Sequence, residues 1–174
     1  MRGGSARYVL LALVSLGLVA LDQATKVHIM QTMRLHESIP IVPGFFNLTY
    51  IRNPGAAFGL LASSSSLFRM LFFGVTSLVA LVLLATIFAR LRHDDWMGQI
   101  SIAVILGGAI GNLLDRLRFG EVIDFLDVYV RGYHWPAFNV ADAAISVGVA
   151  LLIFHFAFEK READATVQEP QRSD

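Results

Sequence analysis

The chain has 174 residues, of which 55% are hydrophobic and only 16% charged; basic and acidic residues number 14 each, and there is no cysteine. A soluble domain carries about a quarter charged residues, so this composition argues against an ordinary soluble fold, and zero net charge removes any global field for nucleic acid. Without cysteine there is no disulfide, no thiolate nucleophile and no cysteine-ligated metal.

The missing charges are missing from particular stretches. Crossing a hydrocarbon core about 30 Å thick takes about 20 mostly apolar residues in a helix. The first candidate, about 8–28, begins with the apolar run Tyr8 to Leu21 and reaches full length only by continuing through Asp22 and Lys26. Arg2 and Arg7 ahead of an apolar run would also suit a cleaved signal peptide. Leu18-Val19-Ala20-Leu21-Asp22 lacks a small-x-small cleavage site, however, and three further spans favour a retained helix. The segment of about 29–67 holds two strand-like runs, Ile39 to Val42 and Phe46 to Ile51, which suit a small sheet. Pro54-Gly55 after Asn53 predicts a type II turn, and Ser63 to Ser66 reads as a linker.

The second span, about 69–90, has no charge between Arg69 and Arg90. The third, about 96–116, contains Gly107 and Gly111, a small-xxx-small spacing that lets another helix approach closely. A segment of about 117–136 then leads to the fourth span, about 138–158, whose only ionisable residues are Asp142 and His155. Residues 1–160 thus form a single membrane domain, and 161–174 read as a polar, disordered tail.

Four spans place both termini on one side. Arg2, Arg7, Arg90, Arg92, Lys160, Arg161 and Arg172 on that side balance Lys26, Arg34, Arg52, Arg69, Arg116, Arg118 and Arg131 on the other. The first set lies in the shorter segments, which weigh most in orientation, so the termini are read as cytoplasmic and the segments 29–67 and 117–136 as extracytoplasmic.

Ionisable residues at membrane depth are costly and are functional candidates by default. Asp22 and Lys26, at i and i+4, suit an ion pair on one helix face. Asn112, Asp115 and Arg116 share a face at the end of the third span; Arg116 neutralising Asp115, with Asn112 bridging to another helix, stands level with a substrate-binding role. Asp124 interrupts the apolar run Val122 to Leu126. Asp142 follows Asn139 by three residues, the spacing of a capping box, so capping alone would explain it. The positive end of a helix also favours a carboxylate that stays ionised. Two carboxylates brought together can divide acid and base work, and so hydrolyse an amide without a nucleophilic Ser or Cys. Spacing alone does not show that Asp124 and Asp142 meet. His28, His36, His93, His134 and His155 are scattered without ligand spacing, and no metal or other cofactor is expected.

Five motifs occur together in order: Asp22-Gln23-Ala24-Thr25-Lys26, Asn53-Pro54-Gly55-Ala56-Ala57-Phe58, Gly107 to Arg116, Val122-Ile123-Asp124-Phe125 and Phe138-Asn139-Val140-Ala141-Asp142. In these the chain resembles the lipoprotein signal peptidase (signal peptidase II) family of bacterial aspartic membrane proteases, over nearly everything from Asp22 to Phe158. Two positions depart from common family residues: Pro54, where Thr is frequent, and Val140, where Leu is. Neither is a carboxylate.

The resemblance implies a mainly α membrane protein of the bacterial cytoplasmic membrane. It has four transmembrane helices, cytoplasmic termini and a small extracytoplasmic β-sheet cradle. It implies an endopeptidase that removes signal peptides from diacylglyceryl-modified prolipoproteins, cutting on the amino side of the lipidated cysteine. On the matching positions, Asp124 and Asp142 become the catalytic dyad, and Asn53, Gly55, Asn112, Arg116 and Asn139 bind substrate. Asp22, Lys26 and Asp115 support the site. The implied partners are that prolipoprotein and membrane lipids, with the enzyme a monomer. Two rival classes stand beside it: a transporter or channel subunit using Asp and Arg as an ion path, and an assembly subunit whose glycines and caps merely pack helices.

Overall fold

The computed structural model describes residues 3–55 and 64–168. In chain order the elements are α1 (Gly3–Thr32), β1 (Ser38–Val42), β2 (Phe46–Asn53), α2 (Ser66–Arg90), α3 (Trp96–Phe119), β3 (Val122–Val130), β4 (Tyr133–His134) and α4 (Val140–Gln168). All four helices are long and apolar enough to cross a membrane. They are not equivalent. More than half of the apolar stretch of α3 is buried, against about a tenth to a sixth for the other three, so α3 is the central helix, packed chiefly against α4 and α1. On α2, Leu71, Phe72, Val75, Leu78, Val79, Val82 and Leu83 face outward. A band of that kind would associate in water and is at home only against lipid chains.

Close packing at α3 needs its glycines. A Cβ on Gly107 would fall 2.8 Å from Leu18 Cβ of α1, and one on Gly108 would fall 2.4 Å from the backbone oxygen of Ala141 in α4. The small residues thus serve two neighbours, α1 and α4, and a Cβ on Gly111 would meet both. At one end of the bundle the buried Arg7 of α1 donates to the carbonyl oxygens of Phe88 and Leu91, closing the C-terminus of α2. There too His155 Nε2 of α4 lies 3.0 Å from Asp95 Oδ2, the residue that caps α3.

The other end carries the sheet, antiparallel throughout in the order β1-β2-β3-β4. Gly120, left-handed at φ 73°, ends α3 and turns the chain into β3 within two residues. The β3–β4 hairpin turns through Arg131 and Gly132, both at positive φ (51° and 83°), as the twist of a tight hairpin requires. Ile29 of α1 and Met33 just after it pack with Tyr50, Ile123 and Phe125 and seat the sheet on the bundle. Phe138, just before α4, exchanges backbone hydrogen bonds with Leu126 of β3 (3.0 and 2.8 Å). This pairing brings the start of α4 to the middle of β3.

The strand-like runs before Asn53 form β1 and β2 with nearly the expected limits. Several helix limits differ, among them that of α2, which begins at Ser66 within the tract read as a linker. α1 and α3 run past the spans read at 8–28 and 96–116: α1 covers Gly3–Thr32, and α3 continues to Phe119, where the left-handed Gly120 ends it. The helix of α4 continues to Gln168, so residues 161–168, read as disordered, are helical; their Arg, Glu and Ala residues are good helix formers that simply extend it. Residues 169–174, Ser63 and the motif residues from Ala56 lie outside the described residues.

Candidate active site

The sheet end of the bundle collects the acids. Asp124, on β3 opposite Ile51, is only 2% exposed. Its Oδ2 accepts from Asn53 Nδ2 at 3.0 Å and its Oδ1 from Asn139 Nδ2 at 2.8 Å. Burial pushes its carboxyl up from the ordinary 3.8 to about 7. The two asparagine bonds and the Lys26 charge resist that rise, while the neighbouring Asp142 adds to it.

Asp142 sits in the first turn of α4. The capping box is present in both directions: Asp142 N–H donates to Asn139 Oδ1 (2.9 Å), and Asn139 N–H donates to Asp142 Oδ2 (3.3 Å). Capping does not exhaust the residue, because Asp142 Oδ1 also accepts from Asn112 Nδ2 at 2.7 Å. Asn139 therefore touches both acids, capping one and donating to the other. Its Nδ2 additionally reaches Asn112 Oδ1 (3.1 Å) and the carbonyl of Ile123 (3.2 Å).

Beneath the pair lies a second buried layer. Lys26 Nζ is 2.8 Å from Asp22 Oδ2, 2.8 Å from Asp115 Oδ2 and 3.0 Å from Asn112 Oδ1. The i, i+4 pair read from sequence is real, and Asp115 completes it from α3. Among the described residues Arg116 forms no ion pair with Asp115. Its guanidinium lies over the Phe73 ring of α2 at 4.5 Å instead, which leaves Asp115 to the shorter reach of Lys26. Gln23, not singled out from sequence although it lies inside the first motif, donates to Asp115 Oδ1 at 2.9 Å.

Both acids open into one cavity of about 500 Å³. Asn53, Gly55, Asn112 and Arg116 line its polar side; Val122, Trp135 to Phe138, Ala143, Ser146 and Val147 complete the wall. Asn53 is held by an Asx turn, its Oδ1 accepting from Gly55 N–H at 3.0 Å. The type II turn read over Asn53 to Ala56 runs into residues outside the described ones. Every proposed catalytic and substrate-facing residue thus borders this cavity except Asn139, which is fully buried behind the two acids. Asp22, Lys26 and Asp115 lie one layer deeper. The apolar wall from Trp135 to Val147 had no distinguishing signal in sequence, because apolar residues beside a span are expected anyway.

A cavity with one buried and one half-buried carboxyl, amide donors on both, one cation at the rim and an apolar wall can take an extended peptide with an apolar neighbour. The model of a family described as Signal peptidase (SPase) II matches residues 14–158. A protein named lipoprotein signal peptidase from Syntrophus aciditrophicus (strain SB) is 53% identical over 155 residues, covering 88% of this chain and 96% of that one. Another of that name, from Geobacter sulfurreducens, is 55% identical over 148 residues, covering 85% and 91%. Among solved structures, a bacterial membrane enzyme determined at 2.3 Å by the in meso method superposes with a TM-score of 0.76 at 32% identity, over 94% of each chain. A second, at 1.9 Å, gives 0.72 at 36% identity, over 84% of this chain and 91% of that one.

Proposed function

The chain belongs to the signal peptidase II family, and from that premise we propose that Asp124 and Asp142 are the catalytic dyad of an endopeptidase that removes signal peptides from prolipoproteins. Its substrate is the diacylglyceryl-modified precursor, cut on the amino side of the lipidated cysteine. The observation that carries this reading is the shared cavity: two carboxyls on separate elements face one space and are bound by the same Asn139.

The roles of the two acids follow from their surroundings. Asp124, pushed up to about 7 by burial, still carries its proton in about half of the molecules at neutral pH and serves as the acid. Asp142, at the positive end of α4 and accepting N–H donors on both oxygens, is the base. A water between them loses a proton to Asp142 and attacks the scissile carbonyl. The Asp124 proton polarises that carbonyl, and the dyad then hands a proton to the departing amine. Arg116 at the rim and Asn112 buried in the cavity wall, with Asn53 and Gly55, hold the peptide backbone, and Asn139 keeps both acids aimed. The lipid chains lie against the apolar wall and reach the site sideways from the bilayer. A water-filled ion path is disfavoured, because the buried acids gather at the sheet end and the cavity does not follow the bundle axis.

In the membrane, the sheet end is extracytoplasmic and both termini cytoplasmic; residues 1–160 act as one domain and the enzyme works as a monomer. The decisive experiment replaces Asp124 and Asp142 separately by Asn and measures cleavage of a diacylglyceryl-modified prolipoprotein in detergent micelles. Each variant should remain folded and lose at least about 100-fold in rate, the low end for a lost acid or base. Cleavage retained by both would sink the dyad.

A further inference from the structure

Two buried acids outside the dyad each accept a backbone N–H, and the positions of those two amides are informative. Asp22 Oδ1, on α1, accepts from Ala141 N–H at 3.0 Å, the residue immediately before Asp142. Asp115 Oδ2, on α3, accepts from Ile123 N–H at 3.2 Å, the residue immediately before Asp124. One ammonium joins the two acids: Lys26 Nζ is 2.8 Å from each. Its third contact is Asn112 Oδ1 at 3.0 Å, and the other end of that amide donates to Asp142 Oδ1.

An ammonium has three donors, and here each runs toward the dyad by a different route. One passes through Asp22 to the peptide of Asp142, one through Asp115 to the peptide of Asp124, and one through Asn112 to the Asp142 carboxyl itself. Lys26, Asp22 and Asp115 are all 1% exposed or less, so neither water nor salt screens the arrangement. A buried ion pair gives little net stability over an apolar replacement of the same size. Packing alone therefore gives no reason to seat a cation between two acids at this point. Geometry does, because a directional three-way tie fixes distances that apolar side chains would leave soft. The amide of Asn112 is also oriented by it. With Lys26 and Asn139 Nδ2 both donating to Oδ1, Nδ2 must face Asp142.

We propose that Lys26 is a positioning residue for the hydrolysis, setting the separation of the two aspartates through Asp22 and Asp115 and the aim of Asp142 through Asn112. This rests on the reading that Asp124 and Asp142 perform the cleavage. Lys26 touches no substrate; its effect belongs in kcat, with KM little changed.

The test uses the full chain in detergent micelles and a diacylglyceryl-modified prolipoprotein, with thermal unfolding as the measure of fold. Lys26→Met alone leaves two buried carboxylates without a cation and puts the fold at risk. Lys26→Met/Asp115→Asn restores the net charge of the native trio and still offers an oxygen to Ile123 N–H. Expected is a folded double variant whose kcat is down by about tenfold to 100-fold, the scale of a misplacement of about 1 Å, with KM within about threefold. Asp115→Asn alone keeps the Lys26 ties to Asp22 and Asn112, and should lose less. A folded double variant with native kcat overturns the proposal, as does one whose loss lies in KM. If the double variant does not fold, Asp115→Asn decides: kcat lowered at constant KM supports the tie, and native kcat overturns it. Asp124→Asn and Asp142→Asn run beside these variants. Cleavage by both would remove the dyad itself, a result distinct from any obtained at Lys26.

Discussion

Gly108→Ala is the sharpest perturbation of the helix packing that carries the site. The added Cβ would lie 2.4 Å from the backbone oxygen of Ala141 and 2.8 Å from Ile145 Cγ1, where ordinary contact begins at 3.4 Å. Ile145 can turn its side chain, but a backbone carbonyl inside α4 cannot, so α4 must retreat by about 1 Å to restore ordinary contact. Asp142 is the next residue, and a retreat of that size would break its 2.7 Å bond from Asn112 and its tie through Ala141 to Asp22. Overpacking of this kind costs about 1–3 kcal/mol, and each kcal/mol lowers the melting temperature of a chain this size by about 2–4 °C. Misplacing the carboxylate by about 1 Å should lower kcat by about 100-fold. The assay is prolipoprotein cleavage per folded molecule, with melting in the same micelles. Gly74→Ala is the control: a Cβ there meets nothing within 4 Å, so activity should be native and stability equal or slightly higher. Native kcat and native melting in Gly108→Ala would refute the claim that α4 is held against α3 at this point.

Three other outcomes are expected. Because the Asp124 carboxyl is raised from 3.8 to about 7 in the folded protein, folding takes up a proton between those values. The resulting stability is fully present below about 3.8 and is lost as pH rises through 7. Melting of the native protein should therefore fall relative to Asp124→Asn between pH 5 and 9, and parallel curves would contradict the raised value. Asn139→Ala removes the cap of α4 and the donor to Asp124 together. It should cost about 1 kcal/mol or more in melting and abolish cleavage, whereas native turnover would mean that Asn139 does not aim the dyad. Since the chain has no cysteine, Tyr133→Cys at the sheet end and Asp94→Cys at the other end report sidedness directly. A membrane-impermeant thiol reagent on spheroplasts should label the first and spare the second; the reverse would invert the proposed orientation.

Much of this molecule is readable one segment at a time. Span number follows from hydropathy over about 20 residues. The hairpin before Asn53 follows from alternation, and the Asn139–Asp142 box from a three-residue spacing, because each depends only on neighbours in the chain. Asp22 with Lys26 is legible for the same reason. β3 was less so: its first residues are buried on both faces, so they show an apolar run broken by Asp124 and no clear alternation.

What the tertiary structure alone decided is which distant groups meet. Asp115 pairs with Lys26 and not with the adjacent Arg116, because α1 packs against α3 across glycines while Phe73 of α2 takes the guanidinium. Asp124 and Asp142 face one cavity because Phe138 pairs with Leu126 and Gly108 lets α4 come close. The sequence by itself determined that one acid interrupts an apolar run and another stands near the start of the fourth span. Whether they share a space depends on helix packing and one strand bridge between residues far apart in the chain, contacts that no local pattern encodes.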